Sequence, residues 1–75
     1  MKTITYSFQF LSEIKKFDRE TRSIVAGLID AFADGWDGEQ VIREDGIQIA
    51  YQDIRIRVAE TETTIEVRSI QYQYD

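Results

Sequence analysis

The chain has 75 residues, a formal charge of −5, and neither cysteine nor histidine. Disulfides and thiolate metal sites are excluded, and the commonest general base and commonest metal ligand are absent. One domain of this size, residues 1–75, buries only roughly 60% of its unfolded surface, so a partner or a second copy of itself is a usual source of added stability.

In chain order, Thr3-Ile4-Thr5-Tyr6-Ser7-Phe8-Gln9-Phe10 alternates apolar and polar residues. The alternation predicts a strand with Ile4, Tyr6, Phe8 and Phe10 on one buried face. Met1-Lys2-Thr3 leads straight into it without a signal-peptide core, and no apolar run approaches the ~20 residues that span a bilayer. The chain therefore reads as cytoplasmic with no membrane partner.

The period then changes. Phe10, Ile14 and Phe17 are spaced by four and three, as on one helical stripe. Ser12 is the expected N-cap, with Glu13 in the first turn, and Asp18 a second, with Glu20 behind it. Thr21, Val25, Leu28 and Phe32 continue at helical spacing, with Ile24 and Ile29 widening the stripe. Gly35 suits the C-terminal cap. Residues 11–17 and 19–34 thus form a short helix followed by a long one, or a single helix bent at Asp18. Gly27 inside the stripe costs ~1 kcal/mol relative to alanine, and close packing against a sheet is the expected reason for it.

Gly35-Trp36-Asp37-Gly38 reads as a loop with Trp36 folded over the core edge. Residues 40–44 form a short strand or an irregular edge, and Asp45-Gly46 is a turn signal. Residues 30–53 carry Asp30, Asp34, Asp37, Glu39, Glu44, Asp45 and Asp53 against Arg43 alone. Such a segment is either a solvated, solubilising surface or a docking patch for a basic partner. In the second reading Asp30, Asp34, Asp37, Glu39, Glu44 and Asp45 are the partner-binding candidates. An acidic chain also repels phosphates at long range, which argues against direct nucleic-acid binding. Asp34, Asp37 and Glu39 could be considered for a divalent ion, but they are scattered along a predicted loop; no metal and no cofactor is assigned.

Ile47, Ile49 and Tyr51 are apolar at odd positions; Ile54, Ile56 and Val58 are apolar at even ones. An unbroken strand keeps its parity, so a tight turn at Gln52-Asp53, or else a bulge, must lie between them. Residues 47–51 and 54–60 then pair as a hairpin, Thr61-Glu62-Thr63 turns again, and residues 64–74 form the last strand. With that turn centred near Glu62, Arg57 is expected opposite Glu66 and Arg55 opposite Arg68. Parity shifts once more after Ser69, to Ile70, Tyr72 and Tyr74, which calls for a second bulge or an exposed aromatic edge. In the latter case Tyr72 and Tyr74 join the partner-binding candidates. The fold expected is α+β: strand, two helices or one bent helix, then a three-stranded antiparallel meander, with the helices on one face of the sheet. No glycine-rich phosphate loop or nucleophile motif occurs.

The segment Phe10-Leu11-Ser12-Glu13-Ile14-Lys15-Lys16-Phe17-Asp18-Arg19-Glu20-Thr21-Arg22 resembles the strand end and helix opening of the RelE/ParE toxin superfamily. Gly46-Ile47-Gln48-Ile49-Ala50-Tyr51-Gln52-Asp53-Ile54-Arg55-Ile56 resembles its hairpin, and Ile65 to Ile70 its final strand. The resemblance implies a small toxin-type module of a toxin–antitoxin system. RNA-cleaving members cut mRNA at the ribosome with basic and tyrosine side chains on the open sheet face. Here Arg55 stands where the family has its central strand arginine, and Tyr72 or Tyr74 stands in for the aromatic; Arg68, the other base that the expected pairing leaves unneutralised on that face, is the third candidate with Arg55 and Tyr72. Gln48 and Ala50 stand where such nucleases carry bases, and the terminal arginine is missing. The ParE-like branch needs no nuclease site. The expectation is therefore a protein-binding module with weak or no RNase activity, partnered by an antitoxin. The alternative is an acidic, non-enzymatic inhibitor, phage- or plasmid-encoded, that blocks a host or viral nucleic-acid-handling protein. A homodimer is compatible with either.

Overall fold

Ser7 decides where the first strand stops. In the computed structural model, which describes residues 2–73, β1 spans Thr3–Tyr6 and helix α1 spans Phe8–Ile14. Ser7 is the N-cap: its Oγ accepts from the Phe10 N–H at 3.1 Å and donates to the Arg68 carbonyl at 2.6 Å. The cap satisfies one of the orphan donors of the first helical turn, so the chain leaves the sheet five residues before Ser12, the expected cap. This corrects the strand expected to run through Phe10. Phe10 is buried, but from a helix; Phe8 is 92% exposed.

Asp18 does cap the second helix, α2, Arg19–Ala33, accepting from the Thr21 N–H at 2.8 Å. Its end is a Schellman turn. The Trp36 N–H returns to the Ala31 carbonyl and the Gly35 N–H to the Phe32 carbonyl, with Gly35 at φ +103°. Glycine takes that conformation without steric cost. Val25, Ile29, Phe32 and Ala33 form the buried stripe, while Ile24 and Leu28 lie half-buried beside it. Gly27 is exposed, and a Cβ built there meets nothing within 4 Å, so the close packing expected of it is absent. The tight glycine is Gly38, where a Cβ would lie 2.8 Å from the Trp36 ring. Trp36 itself packs against the core.

The rest of the chain supplies β2 (Val41–Ile42), β3 (Ile47–Tyr51), β4 (Ile54–Glu60) and β5 (Thr64–Tyr72). The five strands form one mixed sheet in the order β1-β5-β4-β3-β2. β1 joins β5 in parallel, and every other neighbour is antiparallel. The architecture is α+β, with the expected meander extended by β2 at one edge and by β1 at the other. Tyr51 pairs with Ile54 across the Gln52-Asp53 turn, where Gln52 adopts φ +52°.

The second parity shift is a bulge. Val58 pairs with Val67, but Arg57 pairs with Ser69, which leaves Arg68 as the extra residue on β5. The core-facing set therefore changes from Ile65 and Val67 to Ile70. The bulge sits one position earlier than the sequence suggested and resets the pairing: Arg55 lies opposite Gln71, not Arg68, and Arg57 opposite Ser69, not Glu66. Ile49, Ile54, Ile56, Val58, Ile65, Val67 and Ile70 meet Phe10, Phe17 and the α2 stripe in one core cluster. The helices thus cover one face of the sheet, and the alternate residues of β3 and β4 (Gln48, Ala50, Arg55 and Arg57) lie on the other.

Candidate interaction surfaces

The open sheet face is sparsely basic. Arg55 reaches it from β4, but its Nη1 is occupied by the Gln52 and Ile54 carbonyls at 2.8 and 2.9 Å. Arg68 is held by Glu66, Nε to Oε1 at 2.7 Å. Arg57 is exposed and has no ion pair among the described residues. Arg55, Arg57, Gln48, Gln71, Tyr72 and Gln73 line one depression. The Tyr72 ring itself packs against Phe17 at the helix side, tilted by 32° with centroids 4.8 Å apart. Arg68 lines a separate depression with Arg57, Asp45 and Glu60. Of the three nuclease candidates, Arg55 and Tyr72 therefore share a rim, and Arg68 lies apart beside a carboxylate. Glu44 and Asp45 add negative charge next to Arg55 and Arg57. This face offers phosphates little net attraction.

The acidic residues divide into two groups. Asp30 and Asp34 are exposed at the end of α2, and the loop carrying Asp37 and Glu39 is tethered to that end by the Trp36 hydrogen bond. Glu44 and Asp45 belong to the β2–β3 turn and face the arginines instead. Asp37 is partly neutralised by Arg43 at 3.5 Å. Arg43 also approaches Glu60 at 3.6 Å and lies over the Phe32 ring at 5.8 Å. Lys2 completes the chain of charges, its Nζ 2.8 Å from Glu60 Oε2. The Lys2 hydrogen bond, with the Arg43 charge behind it, holds the Glu60 carboxyl below its ordinary pKa. Hydrogen bonding to Thr21 does the same for Asp18. Among the described residues no group of three or more carboxylates is arranged to hold a metal ion. Tyr74, the other aromatic candidate, lies outside the described residues.

One surface was not foreseen from the sequence. Tyr6, Phe8 and Leu11 are 45%, 92% and 44% exposed. Tyr6 and Leu11 line a groove of about 180 Å³ between α1 and α2, together with Phe10, Ile14, Val25 and Ile29 and with Arg22 on its rim; Phe8 stands outside it. Large apolar side chains left in contact with water beside an apolar groove mark an interaction surface. The signal that could have found it is Ser7: with the helix begun there, Phe10, Leu11 and Ile14 fall on adjoining sides of α1, and Phe8 points away from Phe10 and Ile14.

No family model matches the chain, and no curated protein matches it in sequence. Among the described residues no helix is long and apolar enough to cross a membrane.

Proposed function

We propose that the chain is a small RelE/ParE-like toxin-type module that acts by binding a protein, with weak or no RNase activity. The observation that carries the reading is exposed apolar surface: Tyr6 and Leu11 on the lining of the α1–α2 groove, and Phe8 in solvent at the start of α1. Truncating apolar anchors of this kind is what usually abolishes binding. The basic cluster a nuclease needs is thin by comparison. Arg55 is spent on backbone carbonyls and Arg68 on Glu66. The site of action is the cytoplasm, and the partner is an antitoxin or a nucleic-acid-handling protein. Expressed alone in bacteria, the chain should arrest growth. Phe8→Asp with Leu11→Asp should relieve the arrest, and Arg55→Ala should not. Arrest that depends on Arg55 and is accompanied by ribosome-dependent mRNA cleavage would replace this reading with the nuclease one.

A second reading is favoured by the exposed carboxylates at the end of α2. There the protein is an acidic inhibitor that docks Asp30, Asp34, Asp37 and Glu39 on a basic surface. Steering of that kind is screened within ~8 Å at physiological salt. Association should then slow sharply as salt rises, and Asp34→Asn with Asp37→Asn should lower the on-rate. Salt-independent association would rule it out.

A further inference from the structure

The two edges of the sheet are protected very differently. The β2 edge is only two residues long and is flanked by Asp37, Glu39, Arg43, Glu44 and Asp45. Short, charged edges resist pairing with another chain. The β1 edge, Thr3-Ile4-Thr5-Tyr6, has no charge, no proline and no bulge. The Thr3 N–H donates to the Thr63 carbonyl and the Ser7 N–H to the Val67 carbonyl, so odd-numbered residues face β5. The main-chain groups of Ile4 and Tyr6 therefore point outward. Among the described residues nothing hydrogen-bonds to them.

We infer that this edge is a self-association surface, on which two copies pair β1 against β1 in antiparallel register about a twofold axis at Thr5. The inference rests on the edge strand and not on the groove reading above. The strand is self-complementary in this register. Ile4 of one copy faces Tyr6 of the other, and each such pair exchanges both main-chain hydrogen bonds. The same pair is an aromatic opposite a β-branched residue, a favourable cross-strand combination, and it covers the half-exposed Tyr6 ring. A closed, isologous contact follows, which ends at two copies and does not propagate. Charge selects this edge as well. The acidic residues around β2 lie at the far side of each five-stranded sheet, so joining at β1 holds them as far apart as the fold allows. The two sheets become one, with both helix layers on the same side.

The test is sedimentation equilibrium of the 75-residue protein from about 1 µM to 1 mM. A concentration-dependent dimer is expected. Thr5→Lys sets two like charges across the axis and should weaken dimerisation by at least about tenfold. Thr5→Glu should do the same, and mixing the two variants should restore a heterodimer. If either variant fails to fold, a synthetic chain N-methylated at the Tyr6 amide removes an outward donor without touching the β1–β5 ladder, and it should be monomeric. A monomer at every concentration, a dimer indifferent to both substitutions, or a mixture that stays monomeric would each overturn the inference.

Discussion

Glu13 of α1 accepts the main-chain N–H of Ile70 at 3.1 Å, with Gln71 Nε2 on its second oxygen at 3.1 Å. β1 ends at Tyr6, paired with Val67, so the β5 backbone beyond that point has lost its parallel neighbour. A helix side chain thus continues the ladder that the strand abandoned. Glu13→Ala leaves the Ile70 donor unpaired in a partly buried place, and it should lower stability by about 1–2 kcal/mol. Glu13→Gln keeps an acceptor and should cost less. Denaturant unfolding of the two variants separates the loss of the hydrogen bond from the loss of the charge. Equal losses would assign the effect to the carboxylate charge, and no loss in either variant would show that the contact is not structural.

The neighbouring phenylalanines, Phe8 and Phe10, should behave in opposite ways. Phe10 is 4% exposed and belongs to the core, so Phe10→Ala should cost about 3–5 kcal/mol, much of what a small domain possesses. Phe8 is 92% exposed, and Phe8→Ala should leave the melting temperature almost unchanged. A large loss on truncating Phe8 in a monomeric sample would contradict its placement on α1.

Those two residues also show where sequence reasoning reaches its limit. The positions 4, 6, 8 and 10 satisfy a strand, while 10, 14 and 17 satisfy a helix, so periodicity alone leaves the boundary undefined. A tertiary hydrogen bond from Ser7 to the distant Arg68 carbonyl settles it. Features fixed by nearby residues were readable: the Asp18 cap, the Gly35 terminus and the hairpin at Gln52-Asp53. Features that depend on distant pairing were not. These include the parallel alignment of β1 with β5, the bulge at Arg68 that shifts both arginine pairings, and the groove, whose existence depends on where α1 begins. The open-face positions of Arg55 and Arg57 were readable because parity assigns them. Their hydrogen bonds and ion pairs were not, because register assigns those.

The glycines offer a second paired test. Gly27 is helical and exposed, with open space where a Cβ would go, so Gly27→Ala should raise stability by roughly 0.5–1 kcal/mol. At Gly38 the added methyl would strike the Trp36 ring at 2.8 Å. Gly38→Ala should therefore displace the indole, with a red-shifted and weaker tryptophan fluorescence and a lower melting temperature. If Gly27→Ala destabilised instead, something would have to approach that helix face in solution, and the protein's self-association would be the first thing to measure.

The last expectation concerns acid. Glu60 closes the chain of charges from Lys2 to Arg43 and joins the end of β4 to the N-terminus and to the turn after β2. Its folded-state pKa is lowered below the ordinary value of 4.5, first by the Lys2 hydrogen bond. A carboxyl whose pKa is depressed by folding adds stability that is fully present above its unfolded-state pKa. That stability is lost as pH falls through the lower, folded-state value. Wild type and Glu60→Gln should thus differ by a constant margin at neutral pH, and the gap should begin to close near pH 4.5 and vanish at lower pH. Asp18, whose pKa is also lowered, retains its cap in both proteins, so its titration cancels in the comparison. Lys2→Met should reproduce the loss at neutral pH. Because the pair is partly exposed, added salt should shrink the gap. A difference between wild type and Glu60→Gln that persisted unchanged into strong acid would mean that the carboxylate charge contributes nothing and that the side chain acts through packing alone.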